Sequence, residues 1–322
     1  MNNTSHTSRR AFSARTAFAA AAFALACAGC ATDQPFAGLG NILGSPAKAQ
    51  TASAQNSVLA AAQSKVAAGA DVKALREELS NVITGGCYGD EHYDDWGCLA
   101  RAYTPAAAED RLEAARFLLD NGVGVNQKKE LEQEDSTPLA EALSLLCSER
   151  LVIRDANDER NKDAEDATRE RMSKLAVLFV SRGANINGSG GGCSWYEGES
   201  SIDSTPLGMA AEYGSAELVS LLLEKGAKVN KSAGRYYDIE QPDAGVDRGT
   251  PLRLAAGEGR AEIVKLLLAK GAKDKAALEA AQAGLKNADT EVKKNQFRET
   301  ISMLKAAGAG KSSKKAATNK KR

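Results

Sequence analysis

The sequence predicts an all-α solenoid of stacked helix pairs, with long hairpin fingers inserted between the pairs. A motif that begins with Thr-Pro-Leu occurs at Thr137, Thr205 and Thr250, and each copy continues into an apolar run followed by glycine. Hydrophobic residues form 43% of the 322 residues but aromatic residues only 5%, so the core must consist of small and aliphatic side chains. Each copy has an apolar face that it cannot bury alone, so the copies must stack.

Each element of the motif has a physical reason. The Thr caps an inner helix, and the Pro occupies its first turn, where the missing N–H costs nothing. A Leu and a pair of small residues, such as Ala210 and Ala211, let neighbouring inner helices approach closely. The leucine-rich run is the apolar face of an outer helix, and Gly226 or Gly271 supplies the left-handed residue that ends it.

Two complete copies, Thr205 to Gly226 and Thr250 to Gly271, resemble the ankyrin repeat. A third copy opens at Thr137, and residues 114–126 are the second half of a fourth. The resemblance implies protein partners, and fingers that project beside a concave face. It also shows a departure, because the usual histidine after Thr-Pro-Leu is absent. The residues in its place are Ala140, Gly208 and Arg253, which removes one capping interaction per repeat.

The resemblance is clear over residues 95–275, and we expect the whole solenoid to span 56–309. Val58 to Ser80 contains two short amphipathic stretches, which predict an N-terminal cap. Ala276 to Gly308 predicts a degenerate final repeat. Together these stretches predict about six helix pairs.

One copy carries an insertion between its two helices. Thr137 and Gly183 are 46 positions apart, against 21 in the complete copies, so about 25 residues near 148–172 are extra. Their charges have mixed signs at three- and four-residue spacing, which predicts an extended, solvated pair of helices. The simplest interpretation is a spacer without a partner.

The fingers concentrate the aromatic side chains. Insertions in solenoids collect on one face, often the binding face, and Trp and Tyr are the usual anchors of interfaces. We therefore expect partner binding by the fingers; the alternative is that the rings form a core private to them. The candidate partner-binding residues are Tyr93, Asp94, Asp95, Trp96, Trp195, Tyr196, Tyr236 and Tyr237.

The N-terminus predicts export. Residues 1–29 contain no acidic side chain, and Arg9 and Arg10 precede a short apolar run, which resembles a twin-arginine signal peptide. The general secretory route is the alternative. Cys30 follows a segment that resembles a lipobox, although Cys27 stands where Leu is usual; ordinary cleavage after Ala28 is the alternative. Residues 30–55 predict a flexible tether.

Four further cysteines predict disulfides, because an even number outside the cytoplasm favours pairing. Three pairings are possible. We favour Cys87 with Cys98, which brackets the first finger, and Cys147 with Cys193, which would attach a later finger to an inner helix. Metal binding is not expected, since none of these four cysteines has C-x-x-C spacing and the acidic cluster at 90–95 lacks EF-hand spacing.

The sequence contains no motif that predicts catalysis. We find no nucleophile elbow, phosphate-binding loop or zincin motif. His92 is expected to be a solvated loop residue, and the glycine-rich stretch 188–192 a flexible loop. We therefore expect neither catalytic residues nor a cofactor.

The charges are unevenly distributed although they sum to zero. Residues 311–322 carry six basic and no acidic side chains, and 310–322 is predicted to be a disordered tail. Between residues 30 and 310 the chain has 33 basic and 42 acidic side chains, so the folded body is acidic. An acidic body argues against nucleic acid and favours a protein partner with a basic surface.

These observations predict an exported, monomeric, non-enzymatic module that binds a partner protein. Its expected location is the periplasm, anchored to the membrane only through a lipid on Cys30. The function could be that of an inhibitor or immunity protein. The alternatives are an accessory or scaffold protein that supports a periplasmic enzyme or envelope assembly and, less favoured, an enzyme or cofactor carrier.

Overall fold

The structure is a computed structural model. It describes residues 57–87, 97–129, 136–148, 151–155, 157, 159–188, 190–195, 200–238 and 241–308. Within the strands, only the backbone of 193–195, 200–203, 236–238 and 241–246 is described. The predictions for the signal peptide, tether and basic tail therefore lie outside the described residues.

Twelve α-helices and four strands make up the described part of the chain. The helices are α1 Val58–Ala67, α2 Val72–Thr84, α3 Cys98–Ala102, α4 Pro105–Asp120, α5 Pro138–Ser144, α6 Lys162–Ser181, α7 Pro206–Tyr213, α8 Ala216–Glu224, α9 Pro251–Gly257, α10 Ala261–Ala269, α11 Ala277–Asn287 and α12 Glu291–Ala306. The strands are β1 Gly192–Trp195, β2 Ser200–Ser204, β3 Gly234–Asp238 and β4 Gln241–Asp247.

The long helices stack in two rows, which confirms the predicted helical solenoid. Helices α2, α5, α7, α9 and α11 pack in sequence as an inner row, and α1, α4, α6, α8, α10 and α12 as an outer row. The described residues thus form five inner–outer pairs preceded by α1, rather than six pairs. Helix α1 belongs to the outer row because it packs against outer helix α4. Gly69, at φ 74°, turns the chain after α1. Asp110 of α4 holds its start, accepting the Val58 N–H at 2.6 Å.

The predicted capping residues begin and end the helices. Thr137, Thr205 and Thr250 each accept the backbone N–H three residues ahead, and proline follows each of them. Gly226 and Gly271 have φ of 91° and 80°, in the left-handed region that glycine favours. The Leu and Ala side chains of the motif are buried between the rows.

The hairpins between the later pairs join into one sheet. Strands β1, β2, β3 and β4 are antiparallel neighbours in that order. Cys193 pairs with Ile202, which pairs with Tyr236, which pairs with Val246. The sheet therefore links the finger before α7 to the finger before α9. We call this edge of the stack, where an outer helix connects to the next inner helix, the finger edge.

The ends of the first inserted segment, Cys87 and Gly97, lie at the opposite edge from these hairpins. The segment connects inner helix α2 to outer helix α4, and we call this edge, where inner helices end and outer helices begin, the turn edge. Tyr93, Asp94, Asp95 and Trp96 lie outside the described residues, so partner binding by them stays a prediction.

The charged insertion is not a solvated pair of helices. The described residues between Ser148 and Asn161 form no helix, and the remainder extends outer helix α6, which begins at Lys162. Glu165 is only 1% exposed, and Arg160 donates to both of its carboxylate oxygens, at 2.7 and 2.9 Å. Leu151 is completely buried. The spacing correctly indicates a helix, but one face of it packs against the chain.

The short second finger is held by a buried arginine. Arg76 of α2 donates to the carbonyl oxygens of Gln127 and Ser136, at 2.9 and 3.0 Å, on the two arms of that finger. It also pairs with Glu141 of α5 at 2.6 Å, and its side chain is 2% exposed. One side chain therefore links two inner helices and the finger between them.

We predict that Arg76→Met lowers the free energy of unfolding by about 3–5 kcal/mol, the usual cost of removing one partner of a buried ion pair. Chemical denaturation monitored by circular dichroism measures it. The control is Arg182→Met, since Arg182 pairs with Asp120 at the surface; its loss should stay below about 1 kcal/mol. Equal losses in the two variants would contradict this role of Arg76.

Candidate interaction surface

The base of the finger sheet is packed directly on the inner row. Ala233 is completely buried, and its carbonyl oxygen accepts the Thr205 N–H at 2.7 Å and the Ser204 hydroxyl at 2.6 Å. Gly208 lies beneath it, and a β-carbon there would lie 2.7 Å from the β-carbon of Ala233. The absence of a side chain at Gly208, where the family has histidine, lets the finger approach α7.

The glycine-rich stretch is partly fixed, which corrects the expectation of a flexible loop. A β-carbon at Gly191 would collide with the Ser144 hydroxyl and the Ala140 carbonyl of α5. Gly191 also has φ 82°, and Gly190 donates to the Ser204 carbonyl at 2.6 Å. These glycines allow close contact between backbone segments, while Ser189 lies outside the described residues.

In the copy that begins at Thr250, Arg253 pairs with Asp274. It donates to both carboxylate oxygens of Asp274, at 3.1 and 3.2 Å, and the Thr250 hydroxyl donates to the same carboxylate at 2.9 Å. Partial burial acts to raise the pKa of Asp274, but the hydrogen bonds from Ala276, Arg253 and Thr250 lower it below its ordinary value. Asp274 therefore joins the start of α9 to the next repeat.

A buried ion pair connects the finger base to inner helix α7. Arg248 lies two residues before the Thr cap of α9, and its guanidinium pairs with Glu212 of α7. Their side chains are 8% and 12% exposed. A second guanidinium nitrogen of Arg248 is buried without a hydrogen-bond partner among the described groups. The Arg248–Glu212 pair therefore joins the end of α7 to the residues just before α9.

This part of the inner row has perturbed acidity. Burial raises the pKa of Glu212, and nearby Glu258 adds to that rise, while Arg248 opposes it. Burial and the charge of Glu212 raise the pKa of Tyr213. Glu212, Tyr213 and Glu258 thus form an acidic group with two nearby cations, Arg248 and Arg260.

Asparagines bridge successive repeats at the finger edge. Asn126 donates to the Gly183 carbonyl at 3.1 Å and accepts the Asn185 N–H at 2.8 Å. Asn230 makes the same pair of bonds to Gly271 and Lys273, at 3.2 and 2.8 Å.

Asn187, the equivalent residue of the intervening copy, makes no such bridge among the described hydrogen bonds. Its side chain instead borders a cleft at the junction with the next repeat, and Thr205, Lys228 and Lys231 also line this cleft. The finger-edge contact between these two repeats is made instead by the pairing of β2 with β3 and by the hydrogen bonds to the Ala233 carbonyl.

The structure brings three of the predicted aromatic residues into one sheet by backbone register. Trp195 pairs with Ser200, Tyr236 with Ile202 and Tyr237 with Ser201. Their side chains lie outside the description, as do Tyr93, Asp94, Asp95, Trp96 and Tyr196 entirely. Partner binding by these residues stays a prediction.

The structure joins Cys87 and Cys98 by a disulfide, at the turn edge. Their Cα atoms are 5.7 Å apart, and Cys87 is completely buried. Cys147 is also disulfide-bonded. The side chain of Cys193 lies outside the description, so the pairing of Cys147 with Cys193 stays a prediction, although β1 contacts α5 near Cys147.

Buried polar groups lie near this disulfide, at the end of α2. Arg111 donates to the carbonyl oxygens of Val82 and Ala102, at 2.9 and 2.8 Å, and lies over the ring of Tyr103. The Tyr103 hydroxyl donates to the Ile83 carbonyl. Burial lowers the pKa of Arg111. These contacts satisfy the last carbonyls of α2.

None of the described helices is long and apolar enough to cross a membrane. None of the described His, Cys, Asp and Glu side chains form a group able to hold a metal ion. Arg9, Arg10, Cys30, His92 and the acidic cluster at 90–95 lie outside the description.

Residues 166–277 match the family model for ankyrin repeats, in three copies. This region contains capped inner helices, outer helices that end at glycine, and the finger hairpins. The match begins within α6 and ends at the start of α11. A search of curated proteins finds no match to the sequence.

Sequence reasoning missed the residues of the inner row that border the fingers. Glu212 and Glu258 follow the Ala pairs of two ankyrin repeats, Ala210-Ala211 and Ala255-Ala256, by one and two positions. A charged residue one or two positions after the small-residue pair of an inner helix was the sequence signal that could have identified them. Arg248 gave none, because its partner is 36 residues away.

We predict that Arg248→Met destabilises the protein by about 3 kcal/mol at pH 7, because it leaves Glu212 buried without its cation. Glu212 then has a further raised folded-state pKa, so its ionisation favours unfolding. Stability should fall as pH rises above 4.5, the ordinary pKa of Glu212. Urea unfolding at pH 4 and pH 7 measures the difference.

The control for this prediction is Arg182→Met, which removes an exposed cation that pairs with Asp120 at the surface. It should leave the pH dependence of the parent protein unchanged. A loss in Arg248→Met that is equal at pH 4 and pH 7 would contradict the assigned role of Glu212.

Proposed function

We propose that this protein is an exported binding module that holds a partner protein against its finger edge and inner row, with no catalytic role. One observation carries the proposal: two successive fingers form a single four-stranded sheet that is packed on the inner helices. Ankyrin repeats are general protein–protein interaction modules, and the match to three of them supports a protein partner.

The chemistry of the partner follows from charge. The chain between residues 30 and 310 has an excess of nine acidic side chains. Glu212 and Glu258 place acidic groups on the inner row, and Asp247 is exposed at the end of β4. A partner with a basic surface fits best, because complementary charge accelerates association and selects partners. Inhibition of a basic active site, as by an immunity protein, is consistent with this arrangement.

The second candidate function is an accessory or scaffold protein that supports a periplasmic enzyme or an envelope assembly. It is favoured by the predicted lipid anchor at Cys30, which would hold the solenoid, as a monomer, at a membrane surface. The two candidates differ in what the partner does when it is bound: an inhibited partner loses activity, whereas a supported one retains or gains it.

We predict that the full chain, tagged after Arg322 and cross-linked in the producing cell, captures a basic protein. Without cross-linking, raised salt should release this partner, because the screening length, about 8 Å at physiological ionic strength, shortens as salt rises and weakens attraction between exposed charges. The double variant Trp195→Ala/Tyr236→Ala, at two positions of the finger sheet, should lose at least about tenfold in affinity, as expected for aromatic anchors. Quantitative mass spectrometry of the captured material measures both effects.

The matched control is Val292→Ala, which truncates an exposed side chain of outer helix α12 and should bind as the parent does. If the Trp195→Ala/Tyr236→Ala variant is folded and binds normally, the finger sheet is not the binding surface. Capture that is insensitive to salt would contradict the electrostatic part of the proposal.

We predict that Cys30→Ala moves the protein from the membrane fraction to the soluble periplasmic fraction, because the acyl chains would be lost. Cell fractionation with immunoblotting measures it, and Cys27→Ala is the control that keeps the acceptor thiol. A Cys30→Ala protein that stays in the membrane fraction would refute lipid anchoring.

A further inference from the structure

The extended part of α6 makes contacts that a simple solenoid does not make. In repeat proteins each unit touches only its neighbours. Lys162 instead pairs with Asp289 at 2.7 Å, and Asp166 with Lys293 at 3.0 Å. Both contacts join α6 to the last helix pair, across the two pairs that lie between them.

The same extension also reaches the first inner–outer pair. Arg171 of α6 donates to the Tyr103 carbonyl at 2.7 Å, just before α4 begins. Its other nitrogen donates to Thr168 at 2.7 Å, and Thr168 is completely buried. The extension is thus attached beside the base that carries the Cys87–Cys98 disulfide.

The intervening pairs are joined at the same edge. Arg260, in the turn between α9 and α10, donates to the Gly214 carbonyl, in the turn between α7 and α8, at 2.9 Å. Partial burial acts to raise the pKa of Asp166, but Lys293, Arg260 and Arg169 lower it, so the carboxylate stays charged among three cations. Asp166 therefore lies at the centre of a charged network along the turn edge.

We propose that residues 148–172 form a strap that ties all five helix pairs together along the turn edge and makes the solenoid open and close as one unit. The strap is fixed to its own pair by buried groups, Leu151, Glu165 and Thr168, whereas its contacts with α12 are one exposed ion pair, Lys162–Asp289, and one half-buried pair, Asp166–Lys293. The α12 contacts are therefore the part that can release while the strap remains folded.

The strap adds a second connection across a junction that the finger sheet already joins. At the finger edge, β2 pairs with β3 across the junction at Asn187, which has no asparagine bridge among the described hydrogen bonds. The strap spans that junction from the opposite edge, since α6 lies on one side of it and α12 on the other. Holding this junction would fix the spacing of the fingers; that consequence alone rests on the proposed function.

Hydrogen exchange of the partner-free full chain tests the strap. Lys293→Met removes the contact with Asp166, whereas Lys294→Met, the matched control, removes a contact with Glu291 on its own helix. We expect amides of α11 and α12 to exchange about fivefold faster in Lys293→Met than in Lys294→Met, the factor that corresponds to about 1 kcal/mol. Equal exchange in the two variants would overturn the proposal.

A charge swap provides the second test. Lys162→Glu places like charges beside Asp289 and should also accelerate exchange in α11 and α12. Adding Asp289→Lys restores an opposite pair and should return exchange to the parent rate. A double variant that exchanges as fast as Lys162→Glu would show that the pair does not hold α12. Neither test involves a partner protein, so its outcome is independent of the proposed function.

Discussion

The structure depends on the fact that no helix pair in this chain can bury its apolar face alone. The leucines of each outer helix and the alanines of each inner helix are covered only by the next pair. Stacking leaves two edges where the chain can gain residues without disturbing the core. Every long insertion of the described chain lies at one of these edges, and the two edges have acquired different roles.

The finger edge is built to present a surface, and the turn edge to hold the stack together. At the finger edge, Gly191, Gly208 and Ala233 bring backbone segments close enough to seat a sheet on the inner row. At the turn edge, Arg111 and Arg171 satisfy backbone carbonyls, and Asp166 pairs with a distant helix. The buried arginines Arg76, Arg111 and Arg248 bridge segments that are far apart in the chain.

Local patterns predict the helices well and their long-range partners poorly. The Thr caps and the glycines after outer helices are local signals, and the structure confirms both. The row to which α1 belongs could have been recognised, since Gly69-Ala70 repeats the ending found at Gly226-Ala227. The burial of Glu165 could not, because it depends on Arg160 and on the loop that brings Leu151 over α6. Charge pattern alone cannot distinguish a solvated helix face from one that pairs with a helix 127 residues away.

The account assigns binding to the finger edge and mechanical support to the turn edge. Hydrogen exchange of the full chain with and without its captured partner tests this division most directly. The account predicts slower exchange in β1 to β4 and in inner helices α7 and α9, with the 148–172 strap unchanged. Protection confined to the strap and the Cys87–Cys98 segment, with no change in the finger sheet, would contradict it.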